Sequence, residues 1–254
     1  MSLPYLLTNT TWKSIRSTDY KVAILPWGAT EAHNYHLPYG TDAIIAEKIS
    51  AESARIANDM GGKIIVLPAI AYGVNTGQSD ILLDMNLNPS TQLAILRDII
   101  TVLNRQGIHK LVILNTHGGN DFKQIIRELN LIFPEMFLCQ CNSYKIKEAH
   151  EFVELEGEHA DEFETSLMLF LTPELVLPLS EAGPGKAKTF SIPAFKQGWA
   201  WAEHKWSQVT EDTGIGDPSM ATREKGEKIF NLTVKGISSF LLDLQNMGDT
   251  EIYL

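Results

Sequence analysis

The chain has 254 residues, 44% hydrophobic and 20% charged, the composition of an ordinary globular protein long enough to bury a sizeable core. Its formal net charge of -10 leaves no basic face for nucleic acid or an anionic membrane. No apolar stretch approaches the ~18 residues needed to span a bilayer, and the N-terminus lacks the pattern of a secretory signal, so the expected location is the cytoplasm.

Val22 to Pro26 is a short apolar run and reads as a strand covered on both faces. Glu31, His33, His36 and Asp42 follow it directly. Carboxylates and imidazoles packed that densely are expensive to bury unless a cation pairs with them, so a metal site at the strand end is the economical reading. Ala43 to Met60 has a helical pattern stopped by Gly61-Gly62. Lys63 to Pro68 predicts a second strand. Pro89 to Gln106, capped by Asn88 and stopped at Gly107, predicts a second helix. Lys110 to Asn115 predicts a third strand, Asp121 to Ile132 a helix, and Met136 to Cys141 a fourth strand. Cys139 and Cys141 are expected to be buried free thiols on opposite faces of that strand, with no mutual disulfide. The β-α-β-α order predicts one doubly wound α/β domain spanning residues 1–254, with a mostly parallel sheet and helices on both faces.

His117-Gly118-Gly119-Asn120 stands just beyond the third strand, at the edge where open α/β sheets bind ligands. The two glycines let backbone approach a ligand closely, and amides at a helix start suit an anion or a developing oxyanion. A plain Gly-rich turn with His117 bonded to a neighbour fits these residues equally well. Further on, Ala160 to Leu171 predicts a helix, with Glu158-His159 at its start. Asp161, Glu162 and Glu164 suit a helix N-terminus, but the apolar residues after Glu164 mean that its carboxylate needs a partner. His159 and Glu164 are somewhat over one turn apart and can face one site. Residues 180–220 read as long loops carrying Trp199, Trp201 and Trp206. Aromatic enrichment at interfaces favours a subunit contact there over a substrate platform or a lid. Thr222 to Leu244 closes the chain with an amphipathic helix. His109, His150 and His204 are expected to be surface or packing residues. Walker, GxGxxG, GxSxG and HExxH patterns are absent, so serine or cysteine nucleophile schemes lack support.

Taken together, Glu31-Ala32-His33, His36-Leu37-Pro38, Gly40-Thr41-Asp42, His117-Gly118-Gly119-Asn120 and Glu158-His159-Ala160 through Glu164-Thr165-Ser166 resemble the creatininase (creatinine amidohydrolase) family. Thr213-Gly214-Ile215-Gly216-Asp217-Pro218, Ala221-Thr222 and Glu224-Lys225-Gly226 continue the resemblance towards the C-terminus. The resemblance implies a three-layer αβα fold and a metal centre, often binuclear, that hydrolyses C–N bonds of cyclic amides or formamides. It also implies that Glu31, His33, Asp42 and His117 are metal ligands, with Asp42 bridging. His159 matches the family's catalytic histidine and Glu164 a site carboxylate. His36 takes a supporting place, and Gly118, Gly119, Asn120 and Glu158 are candidates for the substrate or oxyanion side or for support of the ligands. Ring-shaped homo-oligomers, often hexamers, are implied as well.

One departure matters. Creatininase itself has a glutamate two residues after the histidine ligand, where this chain has Gly119. Either Glu164 supplies the missing carboxylate or only one ion binds tightly. Carboxylate and imidazole ligands without thiolates suit zinc, manganese or iron, two per subunit if Asp42 bridges. Two other classes are weighed beside the amidohydrolase. A metal-dependent phosphohydrolase would want Arg or Lys near the centre, and the ligand segments carry none. A non-catalytic, metal-stabilised assembly subunit would need neither His159 nor Glu164.

Overall fold

The structure is a computed structural model and describes residues 4–248. Strands β1 (Val22–Trp27), β2 (Ile64–Val66), β3 (Lys110–Asn115) and β4 (Phe137–Asn142) pair in parallel in the order β2-β1-β3-β4. β1 and β3 stay in register throughout, from Val22 opposite Lys110 to Trp27 opposite Asn115.

Alternation along the strands divides their side chains between two cores. Val22, Ile24, Val112 and Leu114 pack against helices α1 (Thr41–Asp59), α4 (Glu162–Leu171) and α5 (Arg223–Asn246). Ala23, Leu25, Leu111 and Ile113 face α2 (Pro89–Arg105) and α3 (Lys123–Ile132). The result is the expected three-layer αβα arrangement. Each fully buried Leu or Ile in these layers stabilises the fold by roughly 1.5–3 kcal/mol. α4 and α5 cross closely at Gly226, where an added Cβ would lie 1.8 Å from the Ser166 carbonyl oxygen. Only glycine permits that crossing.

Strand order also fixes where a site can form. β1 runs through α1 to β2 on one side, whereas β3 runs through α3 to β4 on the other. The chain therefore diverges beyond the carboxyl ends of β1 and β3, and the crevice between them is the topological switch point.

Several boundaries differ from the sequence expectation. α1 begins at Thr41, so Asp42 sits in its first turn, where the helix dipole favours a carboxylate. α3 begins at Lys123, which leaves Gly118 and Gly119 on the preceding turn rather than at a helix start. Cys139 and Cys141 are free, but both pack on the α1–α4–α5 side, since residues two apart on a strand share a face. The segment 180–220 is largely irregular, with short helical turns at Pro193–Lys196 and Trp206–Val209. No helix among the described residues is long and apolar enough to cross a membrane.

Candidate metal centre

Glu31, His33, Asp42, His117, His159 and Glu164 converge at the switch point. Three groups place one ligand atom from each member within 4.8 Å of the others: Glu31, Asp42 and His117; His33, Asp42 and Glu164; and Glu31, His33 and His159. Asp42 belongs to the first two and faces them with different oxygens. Its Oδ2 lies 3.2 Å from His117 Nδ1, and its Oδ1 lies 3.4 Å from His33 Nε2.

Each histidine is oriented by a backbone carbonyl. His117 Nε2 donates to Val74 O at 3.0 Å, which turns Nδ1 towards Glu31 Oε1 at 2.8 Å. His33 Nδ1 donates to Glu31 O at 3.1 Å, and its Nε2 faces the carboxylates of Asp42 and Glu164. His159 Nε2 donates to Ala32 O at 2.9 Å, so Nδ1 carries the lone pair, 3.7 Å from Glu31 Oε1. Anchoring one ring nitrogen so that the other is presented is how metal-ligating histidines are held. His33 Nε2 and Asp42 Oδ2 are buried and lack hydrogen-bond partners among the described residues. A divalent cation fits this donor set.

Protons balance the charge in the metal-free protein. Burial opposes charging His33, but the Asp42 carboxylate, with Glu164 and Glu31, overrides it and pushes the imidazole up to about 10. His117 is raised well above its ordinary value against the same penalty, by Glu31 and Asp42. Burial would raise Asp42, yet His33 and His117 hold it well below the usual carboxylate range. Burial, helped by the charges of Asp42 and Asp161 and opposed by His33, pushes Glu164 up to about 8. His159 moves the other way, lowered first by burial and then by the His33 charge. It is therefore the histidine of the centre that holds its proton least tightly.

Glu164 owes its place to an unusual approach. His159 pairs with Ile215 in an antiparallel bridge, and Ala160 then turns the chain with φ 50. This left-handed conformation is strained for a residue with a Cβ, and such strain concentrates at functional sites. It brings Ala160 N to donate to Glu164 Oε2 at 2.6 Å, while Asp161 caps α4 by accepting from Glu164 N. Thr213, from the C-terminal pattern, accepts from Asn34 N through its hydroxyl and so steadies the residue after His33.

The remaining sequence candidates hold other places. His36 is buried and shares a hydrogen bond with Thr165 Oγ1 at 2.8 Å, outside the three ligand groups. Asn120 accepts from Val74 N and Gln92 Nε2, tying the His117 turn to its neighbours. Gly119 is confined, since a Cβ there would lie 2.3 Å from Val74 O and 2.4 Å from His117 Nε2. The turn thus has no room for any side chain at that position, glutamate included. Glu158 is exposed and lies outside the ligand groups, with its backbone N–H donating to Ile215 O. His150 stacks on Phe163 and His204 packs on Phe190, as packing residues do.

Three residues at the centre were not picked out as site residues from the sequence. Gln78 donates through Nε2 to Glu31 Oε2. Asp84 accepts from Ala32 N at 2.7 Å, and burial raises it to about 6. Trp206, read from the sequence with Trp199 and Trp201 as a subunit contact, a substrate platform or a lid, sets its ring edge-on to His159 with centroids 5.3 Å apart. Gln78 and Asp84 carry no local signal, because they act across long sequence separations.

A carboxylate–imidazole centre at the switch point of a doubly wound sheet is the construction of a metal-dependent α/β enzyme. Residues 8–241 match the family model described as creatinine amidohydrolase. The chain belongs to the creatininase family. It is 27% identical over 264 residues to the creatinine amidohydrolase of Pseudomonas putida, covering 94% of this chain and 96% of the relative. It is also 27% identical over 234 residues to the mycofactocin precursor peptide peptidase of Mycobacterium ulcerans (strain Agy99), covering 87% and 81%. A crystal structure from Bacteroides fragilis NCTC 9343, provisionally described as a creatinine amidohydrolase, superposes with a TM-score of 0.93 at 36% identity over 100% of both chains. A creatininase structure with manganese shares the fold, with a TM-score of 0.77 at 24% identity over 95% of this chain and 99% of that one.

Proposed function

We propose that this chain is a metal-dependent hydrolase that cleaves a C–N bond in a small amide, a cyclic amide or a formamide. The observation that carries the reading is Asp42, whose two oxygens face two separate ligand groups. Glu31, Asp42 and His117 would hold one divalent ion, and His33, Asp42 and Glu164 a second. Glu164 then supplies the carboxylate that Gly119 cannot, which favours two ions over one. Oxygen and nitrogen donors without thiolates suit zinc, manganese or iron, and the family includes a manganese structure. Such ions, when bound, polarise a carbonyl and acidify a water.

The protein's own groups supply the rest. Burial favours the neutral form of His159, whose Nδ1 faces the centre, so it would take a proton there and pass it to the leaving nitrogen, a role worth ~10²–10⁴ in rate. The bond to Ala32 O keeps the ring in that orientation. His36 and Thr165 are tied by a hydrogen bond next to Glu164 in sequence, and Gly118 leaves open space at the His117 turn while Gly119 is confined. A small-molecule substrate is the primary reading. Relatives named as peptide peptidases make the amide of a short peptide the second. Nucleic acid and membranes stay outside the proposal. Among the described residues, the ion pairs of the ligand groups join histidines and carboxylates and include no Arg or Lys, which disfavours phosphate esters. We further infer a homo-oligomer, with the exposed Trp199 and Trp201 at subunit contacts.

Elemental analysis of the purified protein, followed by a panel of formamides, cyclic amides and short peptides with added Mn²⁺ or Zn²⁺, tests this reading. Expected are two equivalents of metal and turnover of one class, read as amine or formate released from a formamide, ring-opened product from a cyclic amide, or new amino termini from a peptide. Phosphate release from esters with no amide turnover would overturn it.

A further inference from the structure

Trp206 opens a short helical turn within a long irregular segment, yet its ring meets His159. Its indole Nε1 is buried and has no hydrogen-bond partner among the described residues. Indole N–H can only donate, and a buried donor left unmade is costly. The segment does not depend on the indole for its attachment. Thr76 donates to Glu203, Ser207 donates to Asp80, and Lys205 Nζ lies 3.7 Å from Asp80. Gly77 lets the His204 carbonyl come so close that a Cβ would lie 2.3 Å from it. Polar contacts on either side of Trp206 thus fix the segment against the turn that carries Gln78, and Gln78 itself donates to Glu31.

We propose that Trp206 is a specificity-determining residue, whose indole N–H donates to the carbonyl-type acceptor of an amide bound beside His159. The proposal rests on the reading of the centre as a metal site for amides. Gln78 adds a complementary feature. With its Nε2 committed to Glu31, its Oε1 is a buried acceptor without a partner. A secondary amide or ureide carries both an acceptor and a donor, and so matches this pair. A plain ester lacks the donor.

The test uses the metal-loaded protein, its Trp206→Phe and Trp206→Leu variants, and acetohydroxamate as the probe. The hydroxamate chelates divalent ions and presents an amide-type carbonyl and N–H. Calorimetry gives Kd, elemental analysis gives metal content, and thermal melting reports the fold. Trp206→Phe keeps an aromatic ring beside His159 while removing the donor and part of the ring area. It is expected to bind about 5–10-fold more weakly, the size of one neutral hydrogen bond, with metal content and melting unchanged. Trp206→Leu is expected to lose at least as much. On an amide substrate the Phe variant is expected to raise KM by a similar factor with kcat nearly unchanged, because the bond is made in both ground and transition states. Wild-type affinity in Trp206→Phe, with or without a lower melting temperature, would overturn the donor role and leave the metal reading intact. Absence of metal from the wild type by elemental analysis overturns the metal reading, whereas a loaded wild type that fails to bind hydroxamate overturns this proposal.

Discussion

Glu31 and His117 enter the centre just beyond the carboxyl ends of two adjacent strands, β1 and β3, that stay in register along their whole length. Glu164 enters from the start of α4, reached through an irregular segment and a left-handed Ala160. The first position is set by sheet pairing, which cannot shift without moving every side chain of a strand to the other face. The second is set by a few local hydrogen bonds around a strained residue. Exposure follows the same division, with the Glu31 side chain at 1% and Glu164 at 16%. One half of the centre is thus fixed by the fold, and the other can vary with its loop.

Replacing the shared residue should produce the largest effect. Asp42→Ala is expected to strip metal from both halves and lower activity by at least ~10³-fold, since the metal-ion chemistry is lost. Full metal content in that variant would sink the bridging assignment. A more selective blow separates the halves. Glu164→Gln is expected to retain one equivalent of metal and lose ~10²-fold in activity, whereas Glu31→Gln loses the fixed half and takes activity close to that of Asp42→Ala. If Glu164→Gln keeps two equivalents, the second half is built from other residues.

A smaller effect appears in pH dependence of the metal-free protein. His33 rises from an ordinary 6.5 to about 10 and Glu164 from 4.5 to about 8, so both bind protons more tightly when folded. Their stabilisation is complete below the unfolded values and is lost as pH rises through about 8 and then about 10. Asp42 has the opposite sign, and its stabilisation is lost only in acid. The chelated protein should therefore melt at progressively lower temperature from pH 6.5 towards 10, and metal should flatten that slope. A melting temperature that climbs across this window would contradict protons standing in for ions. The smallest effect concerns the cap of α4. Asp161→Ala should cost about 1 kcal/mol of stability and weaken only the Glu164 half, as seen in a metal titration.

The layer architecture was legible because buried parallel strands leave near-continuous apolar runs such as KLVILN, bounded by glycine and proline. Most of the candidate site was legible for a related reason, since Glu31, His33 and Asp42 crowd one strand end and His117 stands at another. The boundary of α1 was misjudged by two residues, which hid the helical setting of Asp42. Trp206 could not be placed, because its neighbours His159 and the 76–80 turn lie far away in sequence. Gln78 and Asp84 were invisible for the same reason. The confinement of Gly119 also depends on Val74, a contact that no local pattern records.

Asp42 stands in the first turn of α1, Glu31 and His117 just beyond two central strands, and Glu164 at the start of α4. An ion shared among them ties together segments distant along the chain and drawn from two layers. It would act as a removable cross-link of the folded state, lost with that state, and so would stabilise by mass action rather than by constraining the unfolded chain. At a thousandfold excess over its dissociation constant, a ligand of the folded state adds about 4 kcal/mol of stability. The resistance of this protein to unfolding would then follow the metal supply of its surroundings, and chelation would loosen sheet and helices together.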